Sequence, residues 1–260
     1  QEIRLVQQVA NHCAIAVRQA RLYQAAQVQV QTLEGLNRLK DEFLSTVSHE
    51  LRTPMSNMKM AIHMLQTRPD SDRREQYLEI LRLECQRETE LINDLLDLQR
   101  LEASAYPVLP AVVDLAVCLK TIIEPFQARM KARNQIFELQ LGALSHFRTD
   151  QKVLERIVAE LLNNACKYTP PAGQIEFAAN LQASGLVEIL IRNQAEIPGE
   201  ELPRVFEKFY RIPNADPWRQ GGTGLGLALV RQLVEQLNST LQVESRLGWT
   251  SFTLWLEPLG

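Results

Sequence analysis

The strongest constraint on this fold is where helix-breaking residues are missing. Residues 1–104 hold one glycine, Gly35, and two prolines, Pro54 and Pro69, while the other ten of each type fall in residues 105–260. So long a run with so few breakers predicts long helices, followed by a turn-rich domain of mixed type. The boundary is expected in "SAYPVLP", residues 104–110.

Apolar spacing refines the helical half. Ile3, Val6, Ala10, Cys13, Val17 and Ala20 alternate steps of three and four, a heptad seam. A second stripe, Leu44, Val47, Leu51, Pro54, Met58, Ile62 and Leu65, is out of phase with it by one residue, and the seam between them is mostly Gln. This reads either as a connector whose break in register relays a signal or as an imperfect coiled coil. The run "TRPDSD" ends the helix at Pro69, and Ser71 or Asp72 is expected to cap the next one. That helix carries Leu78, Leu81, Cys85, Ile92, Leu95 and Leu98. Two antiparallel helices bury such stripes poorly by themselves, so a homodimer forming a four-helix bundle is expected. In the second half, "FELQL", "IEFAANLQ", "LVEILIRN" and "SFTLWLEP" read as strands, and "QKVLERIVAELLNNACKY" and "TGLGLALVRQLVEQL" as helices. Helices layered on a mostly antiparallel sheet follow, an α+β fold.

Composition narrows the function classes. A net charge of −3 offers no basic field for nucleic acid. No apolar run approaches the roughly 18–20 residues of a membrane span, and no charged-then-apolar leader opens the chain. The opening residues read as mid-helix, as in a piece of a longer protein. Cys13, Cys85, Cys118 and Cys166 lie far apart without metal-type spacing, which fits a reducing, cytoplasmic setting.

Three stretches carry chemistry. In "SHELRTP", residues 48–54, His49 lies two residues from Val47 and from Leu51, about 200° around a helix from each, so it points away from the seam. A neutral imidazole is a nucleophile once its other proton is managed, and the adjacent Glu50 can take that proton. Thr53 follows one turn along the same face, where its hydroxyl can orient a water, and Pro54 loosens the turn. In "AELLNNACKYTPPAGQ", Glu160, Asn164, Lys167 and Tyr168 share a helix face. A carboxylate, an amide, an amine and a ring suit Mg²⁺, phosphate and an adenine plane, and they equally suit a solvated face. In "GGTGLGLALV", Gly221, Gly222, Gly224 and Gly226 open an apolar helix, where backbone N–H groups can meet phosphates. The Gly-Lys-Ser/Thr ending of a P-loop is absent, and no strand directly precedes the run as a dinucleotide fingerprint requires. A polar stretch with Pro213, Pro217 and Trp218 comes before it and resembles a lid.

The ordered set "FLSTVSHELRTP", "ELLNNACKYTP", "FEKFYR" and "GGTGLGLALV" closely resembles the HisKA-type sensor histidine kinases over residues 35–258. Residues 1–25 resemble the last helix of a GAF-type sensor domain, and the combination is similar to cyanobacterial sensor kinases. The resemblance implies three parts: a signalling helix at 1–32, a dimerisation and phosphotransfer domain at 33–104, and a catalytic domain at 105–260 of Bergerat (GHKL-like) α/β sandwich type. It implies that His49 accepts the γ-phosphoryl group of ATP with Glu50 as base. Thr53 serves dephosphorylation of a partner response regulator. Asn164 and Glu160 hold Mg²⁺, Lys167 lies near phosphate, and Tyr168 lies near the base. Phe206 and Phe209 anchor the lid, and Gly222, Thr223, Gly224, Leu225 and Gly226 line the nucleotide.

Two departures from the family pattern matter. Glu160 stands where the family has an asparagine, and a carboxylate still suits Mg²⁺. The Asp-x-Gly-x-Gly before an Ile-Pro pair is replaced by "RNQAE" before Ile197-Pro198, so Asn193 is the nearest stand-in for the adenine-reading Asp. An amide accepts a hydrogen bond without charge assistance. The main alternative is therefore a pseudokinase or signalling scaffold that binds nucleotide weakly. A second is a gyrase-like ATPase in which Glu160 activates water.

Overall fold

The computed structural model describes residues 2–67, 70–103, 107–144, 146–212 and 223–259. The side chains of the first seam, from Ile3 to Ala20, lie outside the described set, as do Pro69 and the stretch with Pro213, Pro217, Trp218, Gly221 and Gly222. The chain forms two compact units, Gln1–Glu84 and Cys85–Gly260.

In the first unit, helix α1 (Glu2–Gln66) runs unbroken through Pro54. Proline removes one N–H from the ladder. Pro54 and Ala61 are buried, and Val47, Leu51, Met58 and Leu65 are half-buried. Leu44 and Ile62, both expected on the stripe, are 52% and 47% exposed. The expected order placed two steps of four in succession, from Pro54 to Met58 to Ile62. Each step of four overshoots a full turn by about 40°, so two together leave the face. Passing through Ala61 restores the alternation of three and four.

Helix α2 (Ser71–Glu102) begins after Asp70, whose Oδ1 accepts from the Arg73 N–H at 3.0 Å. The cap is thus neither Ser71 nor Asp72. Asp70 sits just before the first helical residue, where a carboxylate reaches an N–H three positions on. The expected α2 stripe also shifts. Leu78 and Ile92 are 50% and 46% exposed and Cys85 is exposed, Leu81 and Leu95 are half-buried, and the buried positions are Leu91, Asp94, Leu98 and Leu101. A carboxylate stands inside an otherwise apolar stripe.

In the second unit, strands β1 (Ala111–Asp114) and β3 (His146–Thr149) form a small antiparallel pair. A five-stranded sheet contains β2 (Ile136–Leu141), β4 (Gln174–Leu181), β5 (Val187–Asn193), β6 (Thr240–Arg246) and β7 (Trp249–Leu256) in the order β2-β4-β5-β7-β6. Only β2 and β4 run parallel. Helices α3 (Leu115–Ala132), α4 (Gln151–Tyr168) and α5 (Gly226–Gln236) bury their apolar stripes over the sheet, whose inward positions include Ile175, Phe177, Ile189, Ile191, Phe252 and Leu254. The sequence reading found the long elements and passed over β1, α3, β3 and β6. The two short strands carry only four residues each, and Pro125 interrupts the α3 pattern without breaking the helix. Cys118 and Cys166 are free and buried among apolar side chains, which pushes both thiols up to about 11.

Helix α4 is tied at both ends. Asp150, itself buried, accepts from the N–H groups of Lys152 and Val153 at 2.9 and 3.1 Å and from the Leu109 N–H at 2.7 Å. At the other end the Cys166 carbonyl accepts from Arg133 Nη1 at 2.6 Å and Gln135 Nε2 at 3.0 Å. Asp150→Ala orphans three backbone donors at or below the surface. It should cost about 2–3 kcal/mol, a fall of roughly 5 °C or more in Tm, read by circular dichroism. An unchanged Tm would mean that Asp150 does not hold the helix start.

Candidate functional site

On α1 the off-stripe position of His49 gives an open imidazole: its side chain is 75% exposed and that of Glu50 is 23% exposed. Glu50 Oε1 lies 3.8 Å from His49 Nδ1, close enough to attract a proton there. Thr53 Oγ1 donates to the His49 carbonyl at 3.3 Å. The hydroxyl proton is thus committed to the backbone, and only its lone pairs remain for a water.

In the second unit, Glu160, Asn164, Lys167 and Tyr168 lie half-buried on one face of α4, as their spacing requires. Lys167 Nζ is 3.1 Å from the Tyr168 hydroxyl and 4.6 Å from its ring centroid, so the amine and ring act as one unit. Glu160 is held by Arg156 at 3.3 Å, one turn earlier. Arg156 also pairs with Asp94 of α2. Burial pushes the Glu160 carboxyl above its usual range; Arg156 opposes this and Asp94 adds to it. Asp94 is raised in the same way, again chiefly by burial.

The glycine loop meets this face. Thr223 Oγ1 donates to Asp94 Oδ2 at 3.3 Å and accepts the Leu225 N–H at 3.2 Å. Gly224 has φ +69°, and a Cβ there would stand 2.7 Å from the Phe209 carbonyl carbon. Its carbonyl accepts the Phe209 N–H at 2.9 Å. Gly224 is therefore required by backbone packing against Phe209, the expected lid anchor. A Cβ at Gly226 would lie 2.5 Å from Glu160 Oε2, so this glycine lets the α5 backbone approach the carboxylate. Phe206 and Phe209 are half-buried. Leu225 is fully buried, so only its backbone is available to a ligand. Gly222 lies outside the described residues.

Asn193 ends β5 with 5% exposure, on the inward side of the sheet. Its register partner is Thr250 of β7, 2% exposed. The loop that lacks both family glycines is tied down by other means. Thr250 Oγ1 donates to the Ala195 carbonyl at 2.7 Å, and the Ile197 N–H donates to Ser245 Oγ at 2.7 Å. The Gln174 N–H donates to Gln194 Oε1 at 2.9 Å, and the Gly248 N–H to Glu196 at 2.7 Å. Sequence reasoning missed Thr250, Arg156 and Asp94. Thr250 shares the inward parity of Phe252 and Leu254, and a polar residue at such a position was the available signal.

Glu160 and Asn164 supply a carboxylate and an amide oxygen one turn apart. With oxygens from a nucleotide these suit Mg²⁺, which takes few protein ligands. Among the described residues no cluster of three or more His, Cys, Asp or Glu side chains could hold a metal alone.

Residues 39–104 match the family described as His Kinase A (phospho-acceptor) domain, and residues 149–259 match the histidine kinase-, DNA gyrase B- and HSP90-like ATPases. Together the matches span well over half of the chain, whose two parts belong to the phospho-acceptor and ATPase families of histidine kinases. Across 97% of its length the chain is 34% identical to the circadian input-output histidine kinase CikA of Synechococcus elongatus, of which it covers 37%. Full-length ShkA in complex with AMPPNP resembles it with a TM-score of 0.62 and 26% identity, over 83% of this chain and 45% of that one. ThkA in complex with the response regulator TrrA shares the fold with a TM-score of 0.67 and 18% identity, over 83% and 60% of the two chains. The chain spans about a third of the length of the curated relatives it matches. No helix among the described residues is long and apolar enough to cross a membrane.

The raised Glu160 carboxyl gives a pH test. A raised acid favours the folded state when protonated, so its contribution is full below the ordinary carboxylate range and is lost as pH rises through the raised value. Glu160→Gln, which cannot ionise, should melt a few degrees above wild type at neutral pH. The gap should close as pH falls to about 4. A gap independent of pH would assign the effect to packing.

Proposed function

We propose that this chain is the phosphotransfer and catalytic part of a sensor histidine kinase that moves the γ-phosphoryl group of ATP to His49 and then to an aspartate of a response regulator. The observation that carries this is the pairing of an exposed His49 with a carboxylate 3.8 Å from Nδ1. Glu50 draws the proton at Nδ1, which leaves the Nε2 lone pair to attack phosphorus. The bond to the β-phosphate oxygen breaks, ADP departs, and Glu50 accepts the Nδ1 proton. Mg²⁺, when bound, would supply positive charge beside the phosphates. Glu160 and Asn164 hold it, Lys167 meets phosphate, Tyr168 lies by the base, and Asn193 reads the base with Thr250 beside it. Phe206 and Phe209 anchor the lid, with Gly222, Thr223, Gly224, Leu225 and Gly226 along the phosphates. Thr53 serves hydrolysis of the phosphorylated regulator.

The domain limits proposed are 33–104 and 105–260, within which the family matches span residues 39–104 and 149–259. Residues 1–32 pass on the state of a preceding GAF-type sensor, and the Synechococcus relative agrees with a cyanobacterial character. A homodimer supplies the four-helix bundle that covers Leu44, Ile62, Leu78 and Ile92, all 46% exposed or more. The regulator complex of ThkA supports a receiver-domain partner. The reading places this part of the protein in the cytoplasm.

A second reading rests on the loop at 194–197, which lacks glycine and is bonded into the sheet. In that case the chain is a scaffold with weak affinity for nucleotide. Incubation with γ-labelled ATP separates the two. Acid-labile label should appear on wild type and vanish in His49→Ala with Tm unchanged, because the side chain is exposed. Glu50→Gln should label about 10²-fold more slowly. Undiminished label in His49→Ala refutes the phosphoacceptor. Free phosphate without labelled protein would favour the ATPase alternative.

A further inference from the structure

Asp94 is out of place by ordinary rules. It stands in phase with Leu91, Leu98 and Leu101 on α2 and is 6% exposed. A buried carboxylate needs partners. Each of its oxygens has one: Oδ1 takes Arg156 Nη2, and Oδ2 takes the Thr223 hydroxyl at 3.3 Å. A guanidinium and a hydroxyl are also what a phosphate oxygen seeks. Both border the nucleotide face. Arg156 precedes Glu160 by one turn, and Thr223 stands beside the start of α5 with its oxygen on the Leu225 N–H. Arg156 Nε is buried and, among the described residues, meets no acceptor, so one donor of the fork is still unfilled.

We propose that Arg156 and Thr223 are ligands for the polyphosphate of the bound nucleotide, and that Asp94 occupies them when nucleotide is absent. Helix α2 and the nucleotide then compete for one pair of donors, which couples the helix to the occupancy of the site. The inference rests on the nucleotide-binding reading above and adds to it a ligand, Arg156, and a resident competitor. Asp94 is a releasable competitor. Burial outweighs Arg156 in setting its carboxyl, which stays raised, and Glu90 and Asp97 add to the negative field. A buried ion pair of this kind contributes little net stability. Glu160 shares Arg156, so release of Asp94 also frees the guanidinium to bridge Glu160 and a phosphate oxygen.

The test uses the 260-residue chain and calorimetric titration with AMPPNP plus Mg²⁺, with adenosine as a ligand that has no phosphate. Asp94→Asn should bind AMPPNP more tightly by roughly threefold or more, with adenosine unchanged. Asp94→Asn/Arg156→Gln should lose that gain. Asp94→Ser carries the same expectation if the Asn variant does not fold. AMPPNP binding that is equal or weaker in the Asp94 variants overturns the competition while leaving nucleotide binding standing. So does a gain shared by adenosine, or a double variant as tight as the single. No binding of AMPPNP by any variant overturns the nucleotide reading itself, and this inference with it.

Discussion

The second unit depends on helix α4, because one helix has to serve two opposite surfaces. Its inner side buries Val153, Leu154, Ile157, Val158, Leu161, Leu162, Ala165 and Cys166, and its outer side presents Glu160, Asn164, Lys167 and Tyr168. A rotation of the helix by one residue would put a carboxylate into the core and a leucine onto the site. Burial of large apolar side chains, at about 25 cal/mol per Å², forbids that. The ties from Asp150 at one end and from Arg133 and Gln135 at the other then fix the helix along its axis. The core therefore positions the site side chains.

The same constraint explains why the site is electrostatically unsettled. Glu160 and Asp94 are drawn below the surface by elements whose apolar residues have to be buried, and one guanidinium, Arg156, serves both. Two carboxylates with one cation in a poorly hydrated place hold their protons more tightly than in water. That is an unfavourable arrangement for an isolated fold and a suitable one for the proposed nucleotide site. Gly226 adds to this reading, because its missing side chain is what admits the Glu160 carboxylate against α5.

Much of this was legible from residue order. The span of α4 matched the expected helix residue for residue, because its apolar residues recur with helical period and Asp150 and Thr169 bound it. His49 was correctly placed off the stripe, since a two-residue offset on a helix leaves no other outcome. The stripes themselves were less secure. Ile62 and Ala61 are both apolar and adjacent, and spacing alone could not rank them. The role of Gly224 was half legible: a glycine was needed, but the neighbour that needs it, Phe209, lies 15 residues earlier and comes close only through the fold.

The sequence by itself determined the helical first part, the α+β second part, the off-stripe pair His49-Glu50 and the polar face of α4. All of these depend on periodicity or on neighbours within one turn, and such information is local. Only the tertiary structure decided that Asp94 meets Arg156 and Thr223, that Thr250 stands opposite Asn193, and that the loop without glycines is tied to Ser245 and to Gly248. These are contacts between residues 48 to 129 positions apart. Which of many polar residues meet is set by how whole elements pack, because the core's apolar area outweighs any single polar pair, and the polar partners are found only after that packing is fixed.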